Sequence, residues 1–110
     1  MTWQVRNYVD GRGKEPVEDF ISGLPELDEA RVRATITYLR DVGNKARKPY
    51  SEHLEKNLFE LRARSTRIFY CFKPGQVIVL LHAFTKKTKK TPDGELEMAR
   101  KRLKEVENEE

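Results

Sequence analysis

Three consecutive strand-like segments, the first two with alternating apolar and polar residues, constrain the fold of this chain more than any other feature. They are LFELRAR from Leu58 to Arg64, TRIFYCFK from Thr66 to Lys73, and VIVLLHAF from Val77 to Phe84. A period of two is typical of β-strands, and the short connections, one of them the turn pair Pro74-Gly75, favour antiparallel neighbours. The sequence therefore predicts a three-strand meander. The last strand is apolar on both sides, so we expect it to be central in the sheet and covered on both faces.

The first half of the chain predicts one more strand and two helices. Trp3 to Val9 alternates and is rich in residues that favour strands. Apolar residues at helical spacing predict a short helix from Glu15 to Ser22 and a longer one from about Glu26 to Val42, which ends at Gly43. Because only a few residues separate the two helices, we expect them to form a hairpin.

One connection is predicted to carry little regular structure, and the end of the chain is predicted to be a helix. Asn44 to Glu55 is polar and basic and is interpreted as a surface connection containing about one helical turn. Pro92 opens a C-terminal helix, whose residues 105–110 are expected to fray. With 110 residues, the chain has room for one small domain, residues 1–110. The predicted class is α+β in the order β-α-α-β-β-β-α, with a small antiparallel meander sheet packed on the helical hairpin.

The basic residues are distributed unevenly. The formal net charge is +4, yet the 32 residues from Leu61 to Pro92 contain no Asp or Glu. Clustered Lys and Arg suit phosphate in charge and geometry, so this stretch favours a polyanion partner over a solvated basic face without function. The eight basic residues of this stretch are Arg62, Arg64, Arg67, Lys73, Lys86, Lys87, Lys89 and Lys90.

Strand parity places several of these cations on one face of the sheet. In the strand from Thr66, Ile68 and Tyr70 fall on the apolar face, whereas Arg67 and Cys71 fall on the other. Arg62 shares the second face with Glu60 in the preceding strand. We expect the apolar face to pack under the helices and the second face to be open, so that Arg62, Arg67 and the nearby Lys86 or Lys87 form a concave cationic surface for a nucleic-acid backbone.

Single residues on this layout have competing interpretations. Glu60 is the only carboxylate on the predicted open face, and it is either a general base or a partner of Arg62 or Arg67. If alternation continues unbroken from Lys87 back to Leu81, His82 lies on the opposite face, which favours a buried structural role over a catalytic one. His53, in the polar connection, is more often simply exposed than in contact with substrate.

The single cysteine and the absence of long apolar runs restrict the class of protein. Cys71 cannot form an internal disulfide or a thiolate metal site, and it is expected to be buried. No apolar run approaches the roughly 18 residues of a membrane span, and the N-terminus lacks the apolar core of a signal peptide. These features predict a cytoplasmic protein without a membrane partner. The sequence also lacks a metal-ligand constellation, a nucleophile elbow and a phosphate-cradling glycine loop.

The run NLFELRARSTRIFYCFKPGQVIVLLHAFTKKTKKTPDGELEMARKRL, from Asn57 to Leu103, resembles the RelE/ParE superfamily of bacterial toxins, and most of all its HigB-like, phage-associated branch. The carrying features are the Leu-Phe-Glu-Leu-Arg, Arg-Ile-Phe-Tyr and Leu-Leu-His-Ala-Phe strands, the Lys-Lys pair, and Thr-Pro before a helix with Glu-Met-Ala-Arg. The earlier VEDFISGLP and its following helix match the usual order. The resemblance implies a ribosome-dependent mRNA endonuclease that a cognate antitoxin inactivates, the antitoxin being a helix-turn-helix DNA-binding protein.

In such enzymes the ribose 2′-OH attacks the adjacent phosphate while cationic side chains stabilise the developing charge, with neither metal nor cofactor. By resemblance, Arg62, Arg67 and Lys87 bind the phosphate and stabilise the transition state, and Lys86 assists. The remaining cations of the stretch, Arg64, Lys73, Lys89 and Lys90, are predicted to bind RNA. The general base and acid stay open among Glu60, His82 and a lysine, because the best-known members carry Lys at the position of Glu60 and a Tyr where this chain has Pro92-Asp93-Gly94.

Two other functions remain compatible with the sequence. The superfamily contains a gyrase-poisoning branch with the same fold, so the fold alone does not decide the target. A non-catalytic nucleic-acid-binding protein could use the same basic stretch, and it would show salt-sensitive binding without cleavage.

Overall fold

A computed structural model describes residues 2–109, which form a five-stranded sheet and three α-helices. The predicted α+β class is confirmed, and the order of elements matches the prediction apart from one additional strand. The elements run along the chain as β1 (Gln4–Asn7), α1 (Pro16–Ser22), α2 (Glu26–Val42), a 3₁₀ turn (Gly43–Lys45), β2 (Ser51–Glu55), β3 (Leu58–Ala63), β4 (Thr66–Lys73), β5 (Val77–Thr85) and α3 (Asp93–Glu107).

The strands are arranged in the order β1-β5-β4-β3-β2. The last four strands in sequence pair antiparallel with their chain neighbours, whereas β1 pairs parallel with β5, Val5 lying opposite Ile78. The predicted meander is therefore correct. The apolar strand β5 lies inside the sheet, and Ile78, Val79 and Leu81 are fully buried.

The sheet separates two apolar clusters. On one face, Leu61, Ile68 and Tyr70 pack with Val17 of α1 and Leu39 of α2. This packing confirms the prediction that the Ile68–Tyr70 face lies under the helical hairpin. The hydroxyl of Tyr70 is satisfied inside the cluster by a hydrogen bond of 2.5 Å with Ser51 Oγ.

The other face was expected to be open, and this expectation is wrong. Helix α3 lies across β4 and β5, and its Ala99 and Val106 are buried with Phe69 and Cys71. The sequence predicts the helix after Pro92 but assigns it no packing partner. Its apolar positions, which are spaced by about 3.6 residues, needed a sheet face to cover them.

The C-terminal end of α3 is ordered further than predicted. The helix continues to Glu107, and Val106 is only 1% exposed. Tyr8 donates a hydrogen bond to Glu105, and Lys73 donates one of 2.9 Å to the carbonyl of Val106. The prediction that residues 105–110 fray is therefore wrong as far as Glu107, because tertiary contacts hold the last turn of α3. Glu110 lies outside the described residues.

The polar connection from Asn44 to Glu55 contains a strand, β2, that was not predicted. The expected helical turn is present at Gly43–Lys45, but Ser51–Glu55 pairs with β3, Glu52 lying opposite Glu60. The sequence SEHLE has almost no apolar alternation, so its strand conformation depends on the backbone bonds that the exposed edge of β3 offers.

A bulge in β5 lies immediately before His82, whereas the alternation from His82 to Thr85 is regular. Phe69 pairs with His82 but Tyr70 pairs with Leu80, so Leu81 is the extra residue. As a result Leu81 and Ala83 lie on opposite faces, and the ring of His82 lies beside Phe69 and Phe84 on the α3 side. Within residues 2–109, no helix has both the length and the apolar character needed to cross a membrane.

Candidate active site

Two arginines and a buried glutamate meet at the corner of the sheet that α3 leaves uncovered. Arg62 and Arg67 are directly opposite each other on β3 and β4. Like charges in that position repel, and Glu60, only 2% exposed, lies between them. Arg62 Nε donates to Glu60 Oε1 at 2.8 Å, and Arg62 also pairs with Glu52 of β2. The hydrogen bond to Glu60 raises the pKa of Arg62, although burial opposes this effect.

Arg67 is the less satisfied of the two arginines. One of its terminal nitrogens donates to the carbonyls of Arg64 and Thr66, which ties the guanidinium to the β3–β4 turn. Its Nε is buried and finds no hydrogen-bond acceptor within residues 2–109, because the nearest carboxylate oxygen, on Glu60, is 4.0 Å away. Burial lowers the pKa of Arg67; Glu60 opposes the shift and Arg62 adds to it.

A cationic pocket of about 630 Å³ adjoins Arg67. The β3–β4 turn and the segment after β5 form its walls, and the amide of Lys86 donates to the carbonyl of Ser65 at 2.7 Å, which fixes one wall against the other. Five side chains that are cationic at neutral pH converge on a space large enough for a phosphate and part of its sugar. The lining residues are Arg64, Ser65, Arg67, Lys86, Lys87, Thr88 and Lys89.

His82 lies one row of the sheet away from Arg67, and α3 holds its ring. Arg102 donates to His82 Nδ1 at 3.3 Å, so Nε2 carries the proton and donates to Glu95 Oε1 at 2.7 Å. The imidazole side chain is 16% exposed and lies beside Phe69 and Phe84. His82 is therefore largely buried, and both of its ring nitrogens are hydrogen-bonded.

The structure brings together most of the predicted site residues and separates others. Lys73 lies at the far end of β4 from Arg67 and binds the end of α3, at Val106 and Glu109. His53 lies on the helical-hairpin side, with its ring 4.7 Å from that of Phe59. Lys90 is exposed beyond the pocket, beside the start of α3. The cationic surface is therefore a pocket at one corner of the molecule.

Sequence reasoning missed three charged residues that shape this corner. Glu52 was overlooked because its strand was not predicted. Glu95 and Arg102 are seven residues apart on α3, and this spacing places them on the same face of a helix. A helical projection could have shown this shared face, but only the tertiary structure shows that the face meets His82.

The described part of the chain offers no metal centre and no accessible thiol. Its His, Cys, Asp and Glu side chains do not form a group of three that could hold a metal ion. Cys71 is fully buried as predicted, and burial raises the pKa of its thiol to about 12. The five cations at this corner can bind an anion and stabilise negative charge that develops on it.

The sheet, the helical hairpin under it and α3 across it define a RelE-like α+β fold, as a solved structure shows. A chain from the crystal structure of the toxin–antitoxin complex RelBE2 from Mycobacterium tuberculosis matches with a TM-score of 0.60 and 15% identity, over 78% of this chain and 100% of that one. The family model of phage-derived Gp49-like proteins (DUF891) matches residues 19–104, so the chain belongs to that family. The resemblance to the RelE superfamily is confirmed. No curated protein gives a significant match.

Proposed function

We propose that this protein is the toxin of a type II toxin–antitoxin system and that it cleaves mRNA on the ribosome. Membership of the Gp49-like family and the fold shared with a chain of a toxin–antitoxin complex support the toxin role. By the same likeness, an antitoxin is its inhibitory partner. The endonuclease activity is inferred from the corner of the sheet.

The observation that carries the proposal is the state of Arg67. A buried guanidinium nitrogen without an acceptor is costly, and in this protein it belongs to the arginine that lines the cationic pocket. Arg67 lines the pocket, so an anion that enters meets a guanidinium that pairs with no carboxylate of residues 2–109 at hydrogen-bond distance. Lys86 and Lys87 line the same pocket, so the anion is surrounded by positive groups from two separate segments of the chain.

These groups suit the cleavage of RNA by its own 2′-hydroxyl. The O2′–phosphorus bond forms, the phosphorus–O5′ bond breaks, and one proton leaves O2′ while another reaches O5′. Negative charge grows on the phosphate oxygens in the transition state, and prepositioned Arg67 and Lys87 stabilise it there. Because Glu60 is buried under Arg62, we assign it to positioning the arginines. His82, which has some access to solvent, is the acid–base candidate.

Induced expression in a bacterial host, with mapping of 5′ ends in cellular mRNA, tests the proposal. The wild type should arrest growth and cut translated messages in frame. The double variant Arg67→Ala, Lys87→Ala should lose the cuts, because removal of one such charge-stabilising group costs on the order of 10²-fold in rate. Lys101→Ala is the matched control, since Lys101 is an exposed cation on α3 away from the pocket.

Each alternative outcome has a definite meaning. Arrest without mRNA cuts would overturn the endonuclease proposal, and assays of gyrase cleavage would follow. Expression without arrest, combined with salt-sensitive RNA binding in vitro, would indicate a nucleic-acid-binding protein without catalysis. A double variant that still cuts mRNA would show that the active site lies elsewhere.

A further inference from the structure

A second pocket lies on the other side of the β3–β4 turn and differs in character from the cationic one. It measures about 310 Å³, and its walls come from α2, from the residue before β2 and from the end of β3. Its lining combines the apolar Ala34, Ala63 and Tyr50 and the polar Thr35 with three arginines, Arg31, Arg62 and Arg64. A largely apolar pocket that also holds cations suits a planar group attached to an anion.

Tyr50 is the side chain that gives this pocket a flat surface. It is 49% exposed, an unusual fraction for a large aromatic residue. The ring centroid of Tyr38 lies 5.0 Å from that of Tyr50 at an interplanar angle of 54°, so Tyr38 packs against a Tyr50 side chain that stays about half exposed. An exposed aromatic ring beside arginines is a common platform for stacking bases of single-stranded nucleic acid.

The backbone holds Tyr50 in place before any ligand arrives. Its carbonyl accepts a hydrogen bond of 2.8 Å from the amide of Arg62, and its amide donates one of 3.0 Å to the carbonyl of Arg47. The next residue, Ser51, is anchored in the core through Tyr70. The backbone at Tyr50 therefore does not have to be ordered on binding, which reduces the entropic cost of stacking.

The two pockets share one residue, and this continuity indicates what occupies the second. Arg64 lines both the cationic pocket and the aromatic one, from the turn that separates them. A single strand with a phosphate at Arg67 can therefore cross Arg64 and place a neighbouring base on Tyr50. We propose that Tyr50, supported by Tyr38 and rimmed by Arg31, is a base-stacking subsite for single-stranded RNA. The subsite rests on the proposed function, because it extends the same RNA path.

Binding of two matched RNA probes tests this subsite separately from cleavage. Both are fluorescein-labelled octamers in which every 2′-hydroxyl is methylated, so the attacking group is blocked and no probe is consumed. One carries all its bases, and the other has alternate nucleotides replaced by abasic units. Fluorescence anisotropy at low salt gives the dissociation constant of each probe for each variant.

The expected pattern separates stacking from phosphate binding. The wild type should bind the complete probe more tightly than the abasic one, and Tyr50→Leu should weaken only the complete probe, by about tenfold. Tyr50→Phe keeps the ring and should bind like the wild type. Arg31→Gln should weaken both probes and lower the salt dependence of binding by about one phosphate contact. Thermal melting of each variant verifies that it is folded.

Three outcomes would overturn the subsite, and they have different consequences for the proposed function. If Tyr50→Leu binds both probes like the wild type while Arg67→Ala weakens both, the subsite fails and the phosphate site stands. If the wild type binds the two probes equally well, the bases make no contribution to binding. The pocket is then not a base-stacking subsite, and a protein partner becomes its candidate occupant. If the wild type binds neither probe and cuts no mRNA on expression, the subsite and the proposed function fail together.

Discussion

At the scale of single residues, a buried carboxylate makes it possible for two arginines to face each other across β3 and β4. Glu60 was expected either to act as a base or to pair with an arginine, and the structure shows the pairing, at 2.8 Å from Arg62 Nε. Its position on this face could be predicted from alternation. Its burial could not, because β2 and the neighbouring guanidinium groups cover it and neither contact is visible in the pattern of β3.

Replacing Glu60 should therefore reduce stability as well as activity. We expect Glu60→Gln to lower the free energy of unfolding by about 1–3 kcal/mol, because a partly buried Arg62 loses its anionic partner and the arginine pair loses its counter-charge. Urea denaturation measures the change. Glu52→Gln is the matched control: it also contacts Arg62 but is about one-third exposed, so its loss should stay below about 1 kcal/mol. Equal losses for the two variants would contradict the role given to Glu60.

The buried thiol of Cys71 makes the free energy of unfolding decrease as the pH rises through the alkaline range. Burial raises its pKa from 9.0 to about 12, so the folded state holds the thiol proton more tightly than the unfolded state does. The resulting stabilisation is fully present below pH 9 and is lost as the pH rises from 9 towards 12. Relative to Cys71→Ala, the wild type should lose about 1.4 kcal/mol per pH unit in that range. Urea unfolding from pH 8 to 11 measures both curves, and parallel curves would contradict the prediction.

At the scale of elements, strong periodicity fixed some boundaries well and left one strand undetected. The ranges Glu26–Val42 for α2 and Thr66–Lys73 for β4 agree with the sequence-based prediction, because each carries its own apolar period and its own stop signal. β2 has no such period. It becomes a strand because the edge of β3 offers backbone hydrogen-bond partners. Those partners belong to another segment, so the sequence of β2 does not reveal them.

The junction between α2 and the N-terminal strand depends on Gly43. Its φ of +57° lies in the left-handed region, and a Cβ there would collide with the indole of Trp3, whose amide donates to the carbonyl of Arg40 near the end of α2. Gly43→Ala should therefore destabilise the protein by at least about 2 kcal/mol. Chemical denaturation measures the loss.

The control for this variant is Gly94→Ala in the first turn of α3. A Cβ at Gly94 meets no atom within 4 Å, and the residue is helical without a positive φ. This substitution should leave stability unchanged or raise it by up to about 1 kcal/mol, because alanine favours the helix. Similar effects of the two alanine variants would show that Trp3 does not pack on Gly43 in solution.

At the scale of the whole molecule, the sheet collects charge at one corner. Five of the eight cations between Leu61 and Pro92 line one pocket, because the β3–β4 turn and the segment after β5 lie at the same end of the strands. Lys73 belongs to the same stretch of sequence but lies at the opposite end of β4, where it binds α3. Position along a strand, rather than proximity in the sequence, decides which cations act together.

RNA binding should consequently be strongly salt-dependent. If three to five phosphates contact the pocket, the logarithm of the binding constant of the methylated octamer should fall with the logarithm of the salt concentration with a slope of about −2 to −3.5. Anisotropy titrations between 50 and 200 mM salt measure this slope. Lys87→Ala should reduce it by about 0.7, whereas Lys73→Ala should leave it unchanged. A slope that responds equally to both substitutions would contradict the placement of binding in this pocket.

Local periodicity and charge in the sequence determined the α+β class, the meander, the helical hairpin and the cationic character of the stretch that forms the site. These features depend on neighbours within one helix or strand, so they can be deduced from residue spacing. The tertiary structure decided that α3 covers the second face of the sheet, that β2 forms and that the bulge at Leu81 turns His82 towards Glu95. It also decided that Tyr50 borders the same turn as Arg67. These contacts join residues from different elements, and their energies depend on which surfaces remain uncovered once the sheet has formed.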